Sequence, residues 1–235
     1  SLMSPIFLII DLIYDLYKMK KQVTVFGATG LIGAFLIDEL IKDDSISQIN
    51  LVTRKDISKQ HEKIALYSID FLDTKEIENC IRNSTVVFSA IGTTQANVGG
   101  DKEAYRAIDY DINLRLAKCC LGLKIPQFLL ISSGGADALS SSFYLRLKGE
   151  IERDIFELKL PSALILRPSL LLGKRKEFRF GERIMKILMP LFSFLLPANY
   201  KPIKAERVAQ KMNTFSKLGL IGNHVFSNGD LLKED

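Results

Sequence analysis

The chain has 235 residues, 47% of them hydrophobic, and its 32 basic and 27 acidic residues give a formal net charge of +5. That length is enough for one good core in a single domain, and three cysteines with two histidines are too few and too scattered for a disulfide framework or a metal site. The basic balance does not mark a nucleic-acid binder. Acids interleave with bases throughout, and the one concentrated stretch, "GKRKEFRFGER" (173–183), also holds Glu177 and Glu182.

Taken in chain order, Ser1 and Leu2 ahead of Met3 read as a remnant foreign to the native protein. "PIFLIIDLIYDLY" (5–17) is apolar but interrupted by Asp11 and Asp15 and too short to span a bilayer. It lacks the basic leader and small-residue cleavage site of a signal peptide, and with Asp11 and Asp15 one turn apart it suits an amphipathic helix packed on the domain or on a partner; the few, scattered cysteines fit a reducing cytoplasm. A start at Met19, opening "MKKQVTVFGATG", is the alternative. The expected division is an extension over 1–18 and a single domain over 19–235.

From Gln22 onward, short apolar runs alternate with helical patterns. Strands are predicted at "VTVFG" (23–27), "INLVTR" (49–54), "KIALYSIDF" (63–71), "TVVFSAIG" (85–92), "QFLLISS" (127–133) and "SALILRPSLLLG" (162–173). Helices are predicted over 31–44, 74–82, 101–122 and 142–159. Cys119 and Cys120 sit in the third of these as small buried hydrophobes. Strands too apolar to face water, separated by helices, imply an α/β fold with a doubly wound parallel sheet. "IMKILMPLFSFLLP" (184–197), broken by Pro190 and Pro197, reads as a small helical C-terminal cap. Substrate-pocket elements are expected within about 174–200, where the apolar content suits a hydrophobic substrate and equally suits a cap buried on the core.

The stretch "VTVFGATGLIG" places Gly27, Gly30 and Gly33 three apart, directly after the first strand and opening a helix. Gly27 suits the tight turn, Gly30 the approach of a pyrophosphate, and Gly33 close helix–strand packing. The helix start then offers unpartnered N–H groups and partial positive charge to phosphates, with Thr29, Leu31 and Ile32 lining the pocket. An NAD site usually carries an acidic residue about 20 positions on, to hold the ribose 2′-hydroxyl. Here the second strand ends in Thr53, Arg54 and Lys55, with Asp56 next. Two cations suit a 2′-phosphate, so NADP(H) is expected rather than NAD(H). Asp70 is a candidate adenine neighbour, and "SAIGTT" (89–94) should run beneath the cofactor with Ile91 and Gly92.

In "SSGGADALSSSFYLRLKGE" (132–150), Tyr144 and Lys148 share one helical face. A phenol needs a nearby cation to work in proton transfer near neutrality, which Lys148 supplies. Ser133, or its neighbour Ser132, can hold the substrate oxygen beside Tyr144, so that the trio moves a proton while the cofactor moves a hydride.

Together the glycine loop, "IGTT", "ISSGGAD", "YLRLKGEIE" and "LRPSLLLG" resemble the atypical short-chain dehydrogenase/reductases, most closely the oxidoreductase family of the HIV Tat-interacting protein and its bacterial relatives. The likeness covers about residues 22–215. It implies a Rossmann fold binding NADPH, with Thr29 to Ile32 on the pyrophosphate, Arg54 and Lys55 on the 2′-phosphate, and Ile91 and Gly92 near the ribose. It further implies Tyr144 and Lys148 at the chemistry, Leu171 near the nicotinamide, and Arg179 closing over the cofactor. Relatives often carry a lysine at the first glycine of "SSGGAD", so the charge near Ser133 differs here. The expected function is an NADP(H)-dependent oxidoreductase acting on a carbonyl or hydroxyl of a small molecule, as monomer or homodimer. The alternatives are a non-catalytic NADPH-binding regulator or assembly factor, and a nucleotide-sugar epimerase or dehydratase, which would need a larger C-terminal substrate domain.

Overall fold

The computed structural model describes residues 21–54, 58–172 and 197–234. Seven strands form one parallel sheet: β1 (Lys21–Phe26), β2 (Ile46–Thr53), β3 (Ile64–Ser68), β4 (Val86–Ser89), β5 (Gln127–Ile131), β6 (Ser162–Arg167) and β9 (Gly222–Ser227), in the order β3-β2-β1-β4-β5-β6-β9. Two short strands, β7 (Leu171–Leu172) and β8 (Ile203–Lys204), pair apart from it. This is the doubly wound Rossmann-type α/β fold expected from the alternation of elements.

Helices cover both faces. On one lie α1 (Leu31–Lys42), α6 (Ala205–Ser216) and α7 (Asn228–Leu232), which bury Leu36, Leu40, Val208, Met212 and Leu231 against Val25, Leu51 and Leu129. On the other lie α2 (Thr74–Ile81), α3 (Lys102–Arg106), α4 (Ile112–Gly122) and α5 (Phe143–Glu157), packed on Phe26, Val87 and Phe128. Alternate strand residues feed the two cores, as a period of two requires. Thr24 and Asn50, buried in β1 and β2, both donate to the carbonyl of Cys80 near the end of α2 (3.1 and 2.7 Å), satisfying a group the helix leaves open.

Three differences from the sequence reading have local causes. The helix expected over 101–122 is interrupted by a π turn at Ala107–Asp111 between α3 and α4. The run expected as one strand over 162–173 stops at Arg167, because Pro168 follows and cannot donate to a ladder, and resumes as β7 in the small sheet. The tail after Phe215 supplies a seventh strand, β9, which adds to β6 and stacks Phe226 on Phe215 of α6 with ring centroids 4.0 Å apart. Buried Asn228 ties the ends together, donating to the carbonyls of Ala198 and Lys201 and accepting from the amide of Ser169. The cap segment 184–197 and the extension 1–18 fall outside the described residues, apart from Pro197. Among the described residues no helix is long and apolar enough to cross a membrane.

The sheet order reverses between β1 and β4, and in such sheets ligands bind at the carboxyl ends of the strands flanking that point. Gly27 follows β1 and Ala90 follows β4.

Candidate active site

The β1–α1 turn is pressed against the end of β4. Gly27 has φ +82°, and a Cβ there would lie 2.5 Å from the backbone carbon of Ala90. Only glycine satisfies both the positive φ and the contact. One turn into α1, a Cβ on Gly33 would lie 2.1 Å from the carbonyl oxygen of Gly27, so helix and turn touch backbone to backbone. The two following helices on the chain start on aspartates that cap them. Asp73 accepts from the amides of Lys75 and Glu76, and Asp101 from those of Glu103 and Ala104. By contrast α1 starts on Gly30 with no side-chain cap and no acidic residue in its first turn. Its orphan amides and positive dipole end face an open cleft with about 570 Å³ of atom-free space.

Of the residues singled out from sequence, Gly27, Thr29, Gly30, Arg54, Ile91 and Gly92 line this cleft. Leu31 and Ile32 do not line it and turn their side chains into the core on the α1 face, and Gly33 serves the turn contact instead. Arg54 is exposed at the tip of β2, its guanidinium 6.0 Å from the ring centre of Phe71 and without an ion pair among the described residues. Phe71, buried and lining the cleft, was not anticipated as a cleft wall; the sequence reading had it only as the last residue of the third strand, which in the structure ends at Ser68. Its neighbour Asp70 is exposed and holds the turn into α2, its carboxylate accepting from the amide of Leu72 at 2.9 Å. Lys55 and Arg179 lie outside the described residues. Leu171 is half-buried in β7 against the α1-side core.

The second constellation is built on α5. Lys148 is buried, and its Nζ lies 2.7 Å from Oδ1 of Asp109, with side-chain exposures of 6% and 1%. Burial works against the charged ammonium. The adjacent Asp109 carboxylate and its hydrogen bond, with Tyr144 also contributing, outweigh it and hold Lys148 above its ordinary value. Tyr144 is half-buried, its ring edge-to-face with Tyr105 at 6.2 Å. Burial and then the Asp109 charge push the Tyr105 hydroxyl well up, so it stays protonated and donates to the carbonyl of Thr93 at 3.0 Å.

The two serines part company. Ser132 is buried and donates to Glu152, whose carboxylate also takes a forked pair of hydrogen bonds from Arg167. Ser133 is half-buried, and among the described residues its hydroxyl makes only a long 3.3 Å contact to the Gly134 carbonyl. Among the described residues no hydrogen bond joins either serine to Tyr144. The loop carrying them is pinned to α5 at Gly149, where a Cβ would lie 2.1 Å from the amide nitrogen of Ala138 and 2.2 Å from the carbonyl carbon of Asp137. As for the cysteines, all three are buried, Cys119 and Cys120 as read from the sequence, and burial pushes the Cys80 and Cys119 thiols up to about 11. Among the described residues no group of acidic, His and Cys side chains is arranged to hold a metal.

The profile of a family described as NAD(P)H-binding matches residues 27–173, from the glycine turn to just past β7. The chain belongs to that family. It is similar to "Protein FMP52-1, mitochondrial" of Scheffersomyces stipitis, 37% identical over 156 residues that cover 65% of this chain and 68% of the relative. It is also similar to "Protein FMP52, mitochondrial" of Candida albicans, 32% identical over 204 residues, covering 84% and 89%. Among solved structures it resembles MoeE5 in complex with UDP-glucose and NAD (15% identity, TM-score 0.67, 87% of this chain and 74% of that one). The UDP-N-acetylglucosamine 4-epimerase from Methanobrevibacter ruminantium M1 is another such neighbour (18%, TM-score 0.70, 88% and 76%). At those identities the solved structures establish a shared fold. The relatives carry the FMP52 name rather than that of the HIV Tat-interacting protein, so the likeness that holds is the broader one: an NAD(P)H-binding domain of Rossmann-type fold. They also correct the cytoplasmic expectation, since they are named mitochondrial. That expectation rested on the few cysteines suiting a reducing compartment, and a reducing interior does not tell the cytoplasm from an organelle.

The Gly149 contact makes a direct test of how the loop is held. Gly149→Ala must push the 137–138 backbone off α5, and it should lower stability by about 2 kcal/mol in urea unfolding, the range for overpacking a close contact.

Proposed function

We propose that this member of the family is an NADP(H)-dependent oxidoreductase acting on a carbonyl or hydroxyl group of a small molecule, in mitochondria as its relatives' names indicate. What supports it is the conjunction of a glycine cradle with the Tyr144/Lys148 pair, linked through Asp109 and Thr93. The cradle fits a dinucleotide: Gly27 and Gly33, where a Cβ would collide with backbone, hold the turn and helix together, and α1 opens beside them at Gly30 without a cap. We assign Thr29, Gly30 and the backbone of Leu31 and Ile32 to the pyrophosphate, and Ile91 and Gly92 to the floor beneath the cofactor. NADP(H) preference is read from Arg54, a cation stacked beside Phe71 where an NAD site would carry a carboxylate. Residues 19–235 are taken as one domain.

The bound cofactor would supply the hydride. The chain's own residues would hold the substrate oxygen and move the proton: Tyr144 Oη gives it to that oxygen in reduction and takes it back in oxidation. Lys148, fixed as an ammonium, favours the negative charge that passes onto the phenol oxygen. Ser133 is assigned to orient the substrate, because the hydroxyl of Ser132 is already engaged by Glu152.

One observation favours a second reading, a coenzyme-binding regulator without chemistry: the Lys148 ammonium already has a buried partner in Asp109. Tyr144→Phe separates the two. With aldehyde, ketone and quinone substrates and NADPH consumption as the readout, it should cut turnover by about 100-fold or more while leaving NADPH affinity intact. Equal turnover in the variant would refute the role given to Tyr144, and no consumption by the unaltered protein with any such acceptor would favour the regulator. Coenzyme choice is tested separately. Arg54→Ala should lower the preference for NADPH over NADH by about tenfold, the scale of one charge-assisted hydrogen bond, in paired binding titrations.

A further inference from the structure

The turn that follows β3 walls one end of the cleft, and most of its hydrogen bonds are local. The N–H of Asp70 is held by Glu76 at 2.9 Å, that of Leu72 by the Asp70 carboxylate, and that of Asp73 by the Asp70 carbonyl at 3.0 Å. Such bonds give the turn its shape but do not fix its place. The contacts that reach further belong to Phe71. Its ring packs edge-to-face on Phe26 of β1 at 5.6 Å, and its carbonyl accepts from Nη1 of Arg115 at 3.0 Å, across 44 positions. Arg115 lies in α4, one turn beyond Ile112, and Ile112 lines another wall of the same cleft. The hydrogen bond is therefore a tie between two walls. Arg115 is half-buried and, among the described residues, its charge has no carboxylate partner, unlike those of Arg106, Arg153 and Arg167. Holding one carbonyl in this way costs solvation and side-chain freedom, and what it fixes is the main chain at Phe71.

We infer that Arg115 is a positioning residue, which fixes the Phe71 turn before the coenzyme arrives and so prepares the adenine end of the cleft. The inference rests on the NADP(H) reading of that cleft, and it concerns coenzyme affinity rather than the chemistry at Tyr144. With the pyrophosphate at Gly30 and the 2′-phosphate at Arg54, the adenine is left to the wall that Phe71 and Ile112 form. Arg54 depends on the same wall, since its guanidinium rests 6.0 Å from the centre of the Phe71 ring. A wall already in place needs no ordering when the ligand binds. A wall free to drift must be ordered at each binding event, and affinity falls by that amount.

The test is Arg115→Met, which keeps an unbranched stem and removes the donor. It is titrated with NADPH and with adenosine 2′,5′-bisphosphate, the part of the coenzyme that reaches this wall. Both affinities should fall by about fivefold and by the same factor, the scale of ordering one freed side chain on binding. Arg115→Lys, which still offers a donor to a lone carbonyl, should stay within about twofold of the unaltered protein. The titrations are run well below melting, where a variant that is less stable but still folded binds as the unaltered protein does. Unchanged affinity in Arg115→Met would make Arg115 structural only and overturn the inference. So would a loss for NADPH with none for the bisphosphate, because the tie would then act elsewhere in the cleft. Should Arg115→Met not fold, the shorter, polar Arg115→Gln carries the same expectation and the same refutation. If the unaltered protein binds neither ligand, the NADP(H) reading fails and takes the inference with it; if it binds both and the variants match it, the inference alone falls.

Discussion

The first helix can aim its amino end at a ligand because Gly33 lets α1 lie with its backbone against the carbonyl of Gly27, while Gly27 in turn lies against Ala90. Any side chain at those two points would move α1 away from the sheet, and the cleft at the reversal between β1 and β4 would lose its floor and its positive end together. The contact also explains why no cap is present. A side chain that closed the helix start would occupy the space the ligand needs, so the orphan amides are left to be satisfied from outside.

A second frame, on the opposite face of the sheet, is ionic. The helix α5 buries Lys148 and Glu152 one turn apart, and each finds its partner on another element: Asp109 in the π turn for the first, Arg167 at the end of β6 and Ser132 after β5 for the second. A buried charge without a partner costs several kcal/mol, so these pairs are constraints before they are contributions. They fix the rotation of α5, and with it the direction in which Tyr144 points. Gly149, set between the two buried charges, lets the loop after β5 approach near enough for Ser133 to sit at the same end of the sheet.

Much of this was legible in the residues. The glycine turn, the six strands up to Arg167 and the Tyr144/Lys148 spacing are local patterns, and each is set by a period or a backbone need that neighbouring residues express. What could not be read depends on distance along the chain. Asp109 meets Lys148 across 39 positions, and nothing near Asp109 distinguishes it from the exposed Asp111 two residues on. Phe71 becomes a cleft wall only because the turn at Asp70 folds it inward. The strand β9, "GNHVFS", mixes polar and apolar residues because it is an edge, covered on one side by β6 alone, and so reads as a loop. That the Ser132 hydroxyl is engaged likewise depends on Glu152, twenty positions away. Compartment was read wrongly for a different reason: a fold's interior carries no address.

The most decisive measurement is calorimetric titration of the purified protein with NADPH and with NADH. One saturable site for coenzyme per chain, tighter for NADPH, is expected if the cleft at Gly27, Gly30 and Arg54 is what its geometry suggests. Heat no different from buffer dilution with both coenzymes would mean that the open end of α1 serves some other ligand, and the proton-transfer roles given to Tyr144 and Lys148 would lose their basis.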